Sequence, residues 1–456
     1  MCKNQDINKY NNLKHTVKGR TKMKIFSKQI FEAEYYRIPS LIVTKKGTVI
    51  ACADARYTDP ADNPNRIDKV IRRSEDHGVT WQEPIVAVKS VGEGRDEGAA
   101  AIDPSMVYDA DTDTIWMFYC HTPGGVGLWN SRPGTGVNKK GERYLYDKYN
   151  NRFVLREGKV YTEAGESTAL HIDETGNVYE KEVMIGNIFK GTGPLLEERT
   201  SFLEAVYSQD DGLTWSKPIN LNGQVKEEWM KFIGPGPGVG IQMVTEKYKG
   251  RLVVPIYFSN HTNAVGWTMS CCVIISDDHG RTWTRGQSPN DGRLYKGEVL
   301  EASTLLDYEA CLTESQVVEL KDGRLLYMMR NHDRQKRTAR AYSEDGGMTW
   351  SQVEWVDTLE DPTCQASLIK YPDLGDGKER ILFANPGHDK ERKRGTVRLS
   401  EDGGKTFPYA KVIKEDDFVY NSMAVLQDGT IGMLYEGRDD MKEMEFIKFT
   451  LDWIKE

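Results

Sequence analysis

SEDGGMTW, at residues 343–350, decides the fold, because the chain writes it five times. The other copies are SEDHGVTW at 74–81, SQDDGLTW at 208–215, SDDHGRTW at 276–283 and SEDGGKTF at 400–407. RLLYMMRNHDRQKRTARAY precedes Ser343 and SQVEWV follows Trp350. Apolar alternation on both sides of a Gly- and Asp-containing stretch reads as the turn of a β-hairpin. The Asp accepts backbone N–H groups within the turn. The Gly supplies a positive φ that a β-carbon resists, and the Trp packs back on the sheet. Taken alone, these are folding devices with no part in chemistry.

The five serines are separated by 134, 68, 67 and 57 residues. A period near 60 with four strands per repeat predicts an all-β fold, a β-propeller with one blade per repeat. Five motifs do not set the blade count, since a blade can lose its copy. NSMAVLQDGTIGMLYEG and EFIKFTLDWI near the end are expected to pair with strands near IFEAEYYRIPSLIVTKKGTVIACADAR, closing a ring of six blades. The first interval is about twice the others. Its surplus, with short alternating strands and Gly and Asn turns, predicts a small inserted β domain over 121–200. Residues 28–120 and 201–456 are then the propeller, and residues 1–27 a polar, disordered tail. No heptads or long amphipathic helices are present.

Composition narrows the function. A net charge of −8 argues against nucleic acid, which calls for a basic face. No apolar run approaches the length of a membrane span, and the N-terminus has no hydrophobic signal region. Seven cysteines without regular spacing read as free thiols. These features predict a cytoplasmic chain, or an exported one whose signal lies outside this sequence. GPGPGVG at 234–240 is followed by no GK[ST], so it is no phosphate loop. DADTD at 109–113 lacks the Gly and terminal Glu of a calcium loop, and the eight histidines show no zinc spacing. No metal or cofactor is expected. A closed ring has few free edges, so a monomer is expected.

Several polar residues stand beside apolar strand text. Arg37 lies in YRIPSL and Arg330 in LLYMMRN; Arg392, Arg394 and Arg398 lie in KERKRGTVRLS. An arginine beside a buried strand needs a carboxylate partner. That partner is either structural or an anionic ligand, which guanidinium forks match in a bidentate way. TESQVVEL places Glu314 at the start of a strand, and DDFVYNSMAVL places Tyr420 at the start of another. The loop ADARYTDPADNPNRID holds Asp54, Arg56, Asp59, Asp62 and Asp68.

YRIP, the five boxes, TESQVVEL, MMRN, the basic stretch before TVRLS and FVYNS…LYEG, in this order, resemble the sialidases (neuraminidases). EWMKFIGPGPGVGI at 228–241 and the inserted segment are similar to the larger bacterial members. The resemblance covers about residues 30–450. It implies a retaining exo-α-sialidase that cleaves terminal sialic acid from sialylated glycans, whether glycoproteins, gangliosides or oligosaccharides. By this resemblance Arg37, Arg330 and a third arginine clamp the sugar carboxylate. Family spacing favours Arg392 as the third, with Arg394 and Arg398 open. Tyr420 would be the nucleophile and Glu314 its base. Asp62 would be the general acid/base, with Asp59 and Asp68 open. Arg56 would hold the O4 substituent and Glu436 would brace Arg37. Asp103 and Tyr257 would line the acetamido and glycerol sides. A neutral tyrosine avoids the repulsion that an anionic carboxylate nucleophile would meet at a carbon bearing a carboxylate. Its base must lie close, since an unperturbed tyrosine ionises near pH ~10. Burial is expected to raise the carboxyl of the acid. Three other outcomes stay open: intramolecular transfer releasing a 2,7-anhydro sugar, transfer to another acceptor, and a non-catalytic sialoglycan-binding propeller.

Overall fold

The computed structural model describes residues 15–17, 20–260, 268–437 and 440–456. Their regular secondary structure is almost entirely β-strand. The α-helices among them are the single turns Asn222–Val225 and Leu451–Lys455. The strands build a propeller-like arrangement of antiparallel sheets. Leu312–Glu319, Leu325–Asn331, Arg337–Ser343 and Glu354–Glu360 form one four-stranded meander. Ser367–Lys370, Ile381–Pro386, Lys393–Ser400 and Tyr409–Asp417 form the next. Leu252–Ser259 and Met269–Ser276 centre a third sheet. A longer sheet carries Tyr35–Val43, Val49–Arg56 and Ile67–Ser74 at one end, and Ala100–Asp109, Thr114–Thr122 and Phe202–Ser208 at the other.

The last sheet joins the chain's two ends. Asn421–Val425, Ile431–Glu436 and Met444–Phe449 are followed by Arg20–Phe26, with His15–Val17 at the edge. The reading of residues 1–27 as a disordered tail is corrected here for its described part. Arg20–Phe26 pairs with Met444–Phe449, and Ile25 and Phe26 are fully buried. The lysines of this strand hid its pattern. Lys22 and Lys24 leave the apolar face and pair with Glu445 and Glu443. Residues 1–14 lie outside the described residues.

The five boxes form the expected turns with one shared network. In the copy at 343–350, Ser343 Oγ donates to Asp345 and accepts from Gly347 N (2.8 and 2.9 Å), while Asp345 accepts from Thr349 N and Oγ1 (2.9 and 2.6 Å). The box glycines Gly78, Gly212, Gly280, Gly347 and Gly404 have φ between +78° and +99°. Gly78, Gly280, Gly347 and Gly404 are also pressed against a neighbouring sheet, while Gly212 faces Ile50 of its own long sheet. A β-carbon on Gly280 would lie 2.3 Å from the Trp116 ring, one on Gly347 2.8 Å from Val273, and one on Gly404 2.5 Å from Leu326. On Gly78 it would lie 2.4 Å from Phe446, in the sheet that contains the chain's last strand. The boxes therefore dock each sheet on its neighbour as well as turning its own chain.

Residues 143–197 form a separate seven-stranded sheet around Leu145, Val160, Ile172, Val178, Ile188 and Leu195. The strands on either side of it in sequence pair directly, with Phe202 opposite His121. Arg143 joins this sheet to the propeller-like body through Glu197 and Glu204, and His121 Nε2 lies 2.8 Å from Glu197. The segment before it runs over the Asp62 loop: Asn63 Nδ2 donates to Thr122 Oγ1 (2.8 Å), and Gly127 packs on the Asn63 carbonyl. The six described cysteines are buried, and Cys52, Cys120, Cys271, Cys272 and Cys364 are free thiols, as expected from their spacing. No described helix is long and apolar enough to cross a membrane.

Substituting Gly280 by Ala adds a clash with Trp116 to the left-handed backbone cost and is expected to lower stability by about 3 kcal/mol. Gly292 has a similar φ of +74°, yet a β-carbon there would meet no atom within 4 Å, so Gly292→Ala should cost only about 1 kcal/mol. Urea unfolding of the two variants measures the difference.

Candidate active site

The strand ends that carry the predicted residues converge at one end of the ring. Tyr420 is 5% exposed and packs with Ile38, Val419 and Cys364. Its hydroxyl donates to Glu314 Oε1 and accepts from Arg330 Nη1 at 3.0 Å. Glu314 also pairs with Arg330 through its other oxygen. Burial and the charge on Glu314 push the Tyr420 phenol well above its ordinary value, with Arg330 and Arg392 opposing them. The resting pair is thus a neutral phenol hydrogen-bonded to a carboxylate.

Arg37 and Arg392 flank the same ring, each guanidinium carbon 5.7 Å from its centroid. Arg392 is held by the Thr363 carbonyl at 3.0 Å. Arg394 is half exposed and faces Glu415. Arg398 is buried against Asn385 at 2.9 Å, where desolvation lowers it to about 10. Of the three arginines left open by sequence, the structure brings Arg392 to Tyr420. Glu436 is fully buried; it accepts from Ile38 N at 2.8 Å and faces Arg37 Nε at 3.4 Å. Ile38 has φ +58°, unusual for a β-branched residue, and it sits in a register shift between Arg37 and Ser40. The bulge turns Arg37 toward Tyr420 while Glu436 fastens the strained backbone.

Asp62 lies above this group. It bridges Arg56 Nη1 at 2.8 Å and Arg37 Nη1 at 3.4 Å, with its side chain 65% exposed at the outer edge. Crowding by protein atoms pushes its carboxyl up, but Arg56, Arg37 and Arg330 outweigh that and hold it below the ordinary value. The expected raised carboxyl is therefore corrected for the free protein: its ion pairs outweigh its burial. Asp59 pairs with Arg95. Asp68 is buried, accepting from Ser90 N and the Tyr57 hydroxyl. Neither joins the clamp. Arg56 has no exposed surface; Asp62, Asp54 and the Pro60 carbonyl occupy it. In this arrangement Arg56 braces Asp62, which covers it, and reaches no ligand surface.

Asp103 and Tyr257 form a pair, the Tyr257 hydroxyl donating at 2.7 Å. Asp103 has φ +63° within a second register shift, between Ile102 and Ser105. Burial, then Asp54, Asp62 and Glu314, raise its carboxyl to about 8.

A buried phenol on a carboxylate, ringed by three arginines at the mouth of a box-containing β ring, can now be set beside known proteins. The model of the BNR repeat-like domain matches residues 189–433. The anhydrosialidase of Macrobdella decora is 30% identical over 92% of this chain and 60% of its own length. The sialidase of Micromonospora viridifaciens is 29% identical over 92% of this chain and 52% of its own.

The chain belongs to the sialidase family.

The intramolecular trans-sialidase of Ruminococcus gnavus, solved with oseltamivir carboxylate, superposes with a TM-score of 0.81 at 27% identity, covering 95% of this chain and 98% of that one. This sialidase-family chain spans only 60% and 52% of the two curated relatives.

Two site features escaped the sequence reading. Lys69 pairs with Asp54 behind Arg56 and reaches the Ala101 carbonyl, all fully buried. Alternation along ACADAR places Asp54 and Arg56 on one face, which was the available signal. His332 is 6% exposed with neither ring nitrogen hydrogen-bonded among the described residues. Burial, then Arg330, Lys336 and Arg392, lower it to about 3, so it stays neutral beside the clamp. A lone histidine two residues after Arg330 gave no distinguishing signal.

A buried acid with a raised value contributes stability that is full below its unfolded pKa of about 4 and lost as pH rises through the folded value. Wild type should therefore lose stability relative to Asp103→Asn between about pH 4 and pH 8. Paired urea titrations across that range test this; a constant difference would reject a neutral Asp103.

Proposed function

We propose that this protein is a retaining exo-α-sialidase acting on terminal sialic acid, and that its strands form a six-bladed propeller with an inserted β domain at 121–200. The observation that carries the reading is the Tyr420–Glu314 hydrogen bond within the ring of Arg37, Arg330 and Arg392. Binding alone needs the arginines; it does not need a phenol with its own base. The substrate carboxylate lies on the three guanidinium groups and competes with Asp62 for Arg37. With Arg37 and Arg330 answered by that carboxylate, only Arg56 still holds Asp62 down, and its carboxyl rises toward protonation. Asp62 then gives a proton to the glycosidic oxygen as the bond to C2 breaks. The Tyr420 oxygen bonds to C2 while Glu314 takes the phenol proton. The arginines hold the carboxylate as positive charge grows on the ring. In the second half, Asp62 removes a proton from water, which attacks C2 as the bond from C2 to the Tyr420 oxygen breaks, and Glu314 returns its proton to that oxygen. Two inversions give retention. Arg56 positions Asp62, and Asp103 and Tyr257 line the pocket beside it. Sialylated glycans are the proposed partners, and the protein works as a monomer without metal or cofactor.

A second fate of the same intermediate is favoured by the relatives named anhydrosialidase and intramolecular trans-sialidase. There a hydroxyl of the sugar's own glycerol chain replaces water and releases a 2,7-anhydro product. We favour water because the outer edge of Asp62 is open to solvent, where a base can meet it.

Proton NMR of an α2,3-sialyl-lactose reaction from its first minutes separates these readings. Early α-sialic acid that mutarotates supports hydrolysis, early 2,7-anhydro sugar supports intramolecular transfer, and no product on α2,3, α2,6 and α2,8 substrates refutes both. Tyr420→Phe should lower kcat by about 10³-fold while free sialic acid still binds. Asp62→Ala should lose about 10²-fold or more on natural glycosides, with much of the loss absent on aryl glycosides whose leaving group needs no proton. Equal loss on both substrates would remove Asp62 from the acid role.

A further inference from the structure

Arg330 depends on a partner that no side chain supplies. Its Nη1 is taken by Glu314 and Tyr420. Its Nε is buried and has no hydrogen-bond partner among the described residues. On the adjacent strand, Met329 is in register with Ala339. Arg330 and Thr338 are the next residues along the two strands, beyond the last registered pair, and both line one cavity. Thr338 is 3% exposed, and its hydroxyl is likewise buried without a partner. The two unpaired groups belong to residues that line one small cavity behind the guanidinium, together with Glu314, Asp361 and Asn385. Its volume is about 10 Å³.

Size and polarity select one occupant. A space of roughly 10–15 Å³ accommodates a single water, which needs two to four polar partners. A larger ligand does not fit, and an apolar filling would leave both groups unpaired. Asp361 supplies an acceptor. Its Oδ1 takes the Cys364 N–H and its Oδ2 takes two N–H groups of Asn331, which leaves at most one of about four acceptor positions for the water.

We propose that a single buried water is bound here, and that Thr338 positions Arg330 through it. The water accepts from Arg330 Nε–H, exchanges a hydrogen bond with the Thr338 hydroxyl and donates to Asp361. The plane of the guanidinium is then fixed from behind, and its outer edge is held toward the ligand before the ligand arrives. Thr338 touches no substrate; it is a positioning residue. The water site stands on geometry alone, while its effect on turnover rests on the sialidase reading above.

The test uses the full chain. A crystal structure at better than about 1.8 Å should show one water within hydrogen-bond distance of Arg330 Nε and Thr338 Oγ1. Thr338→Val keeps the shape and removes the hydroxyl. It should weaken calorimetric binding of free sialic acid and lower kcat/KM about 10-fold each, and Thr338→Ser should restore most of both. In an Arg330→Lys background, which has no Nε–H, Thr338→Val should have no further effect. An empty cavity at that resolution, unchanged affinity in Thr338→Val, or the same loss in both backgrounds would overturn the proposal. If the protein turns over no sialoside, the crystallographic result still decides the water site separately from the catalytic reading.

Discussion

The structure depends on how closely its sheets approach one another at the box turns. A hairpin turn solves a local problem, but these turns also act between sheets. Four of their glycines lie where a methyl group would already collide with an aromatic or branched side chain of the neighbour. That contact fixes how far one sheet is rotated from the next. The ends of their strands then fall at fixed places around the mouth, where Arg37, Glu314, Arg330, Arg392 and Tyr420 stand. A box glycine replaced by a larger residue would re-aim a side chain on another sheet, so the folding motif and the chemistry are coupled through geometry.

The mouth itself is an arrangement of charges removed from water. Such groups are costly to bury singly, and a pair offsets that cost only when its geometry and remaining hydrogen bonds are good. Here Glu436 answers Arg37, Glu314 answers Arg330, and Asp54 and Asp62 answer Arg56 and Lys69. Arg392 differs: its hydrogen bond is to a carbonyl, and no carboxylate within ion-pair distance is found among the described residues. The positive excess lies on the side facing the opening. An anion entering the site completes a set of charges already held in place, so little reorganisation is needed on binding.

Much of this was legible in sequence because it is written locally. The boxes carry their turn, their positive φ and their aromatic anchor within eight residues, and apolar alternation marks the strands between them. The clamp was legible through Arg37, Arg330 and Tyr420, each attached to a strand. Family spacing favoured Arg392 over Arg394 and Arg398; alternation alone did not, because it does not reveal the register shifts around Gly395. The state of Asp62 was misjudged because desolvation can be anticipated from a loop's company, whereas two arginines reaching it from separate strands cannot. Arg20–Phe26 was overlooked because a lysine-rich strand resembles a solvated tail until its acidic partners, more than four hundred residues away, are in view.

The sheet that joins the two ends of the chain has a consequence for biosynthesis. Arg37 and Glu436 are 399 residues apart in sequence, and the strand ending in Glu436 is hydrogen-bonded to the one that receives Arg20–Phe26. Contacts of such separation form late, after the intervening loop-closure entropy has been overcome. A nascent chain leaving the ribosome would carry Arg37 and its strained neighbour Ile38 without Tyr420 or Glu436 until those later residues are made. Truncated products, however well their individual hairpins form, would therefore lack a working clamp. Competence arrives in one step, when the final strands close the ring.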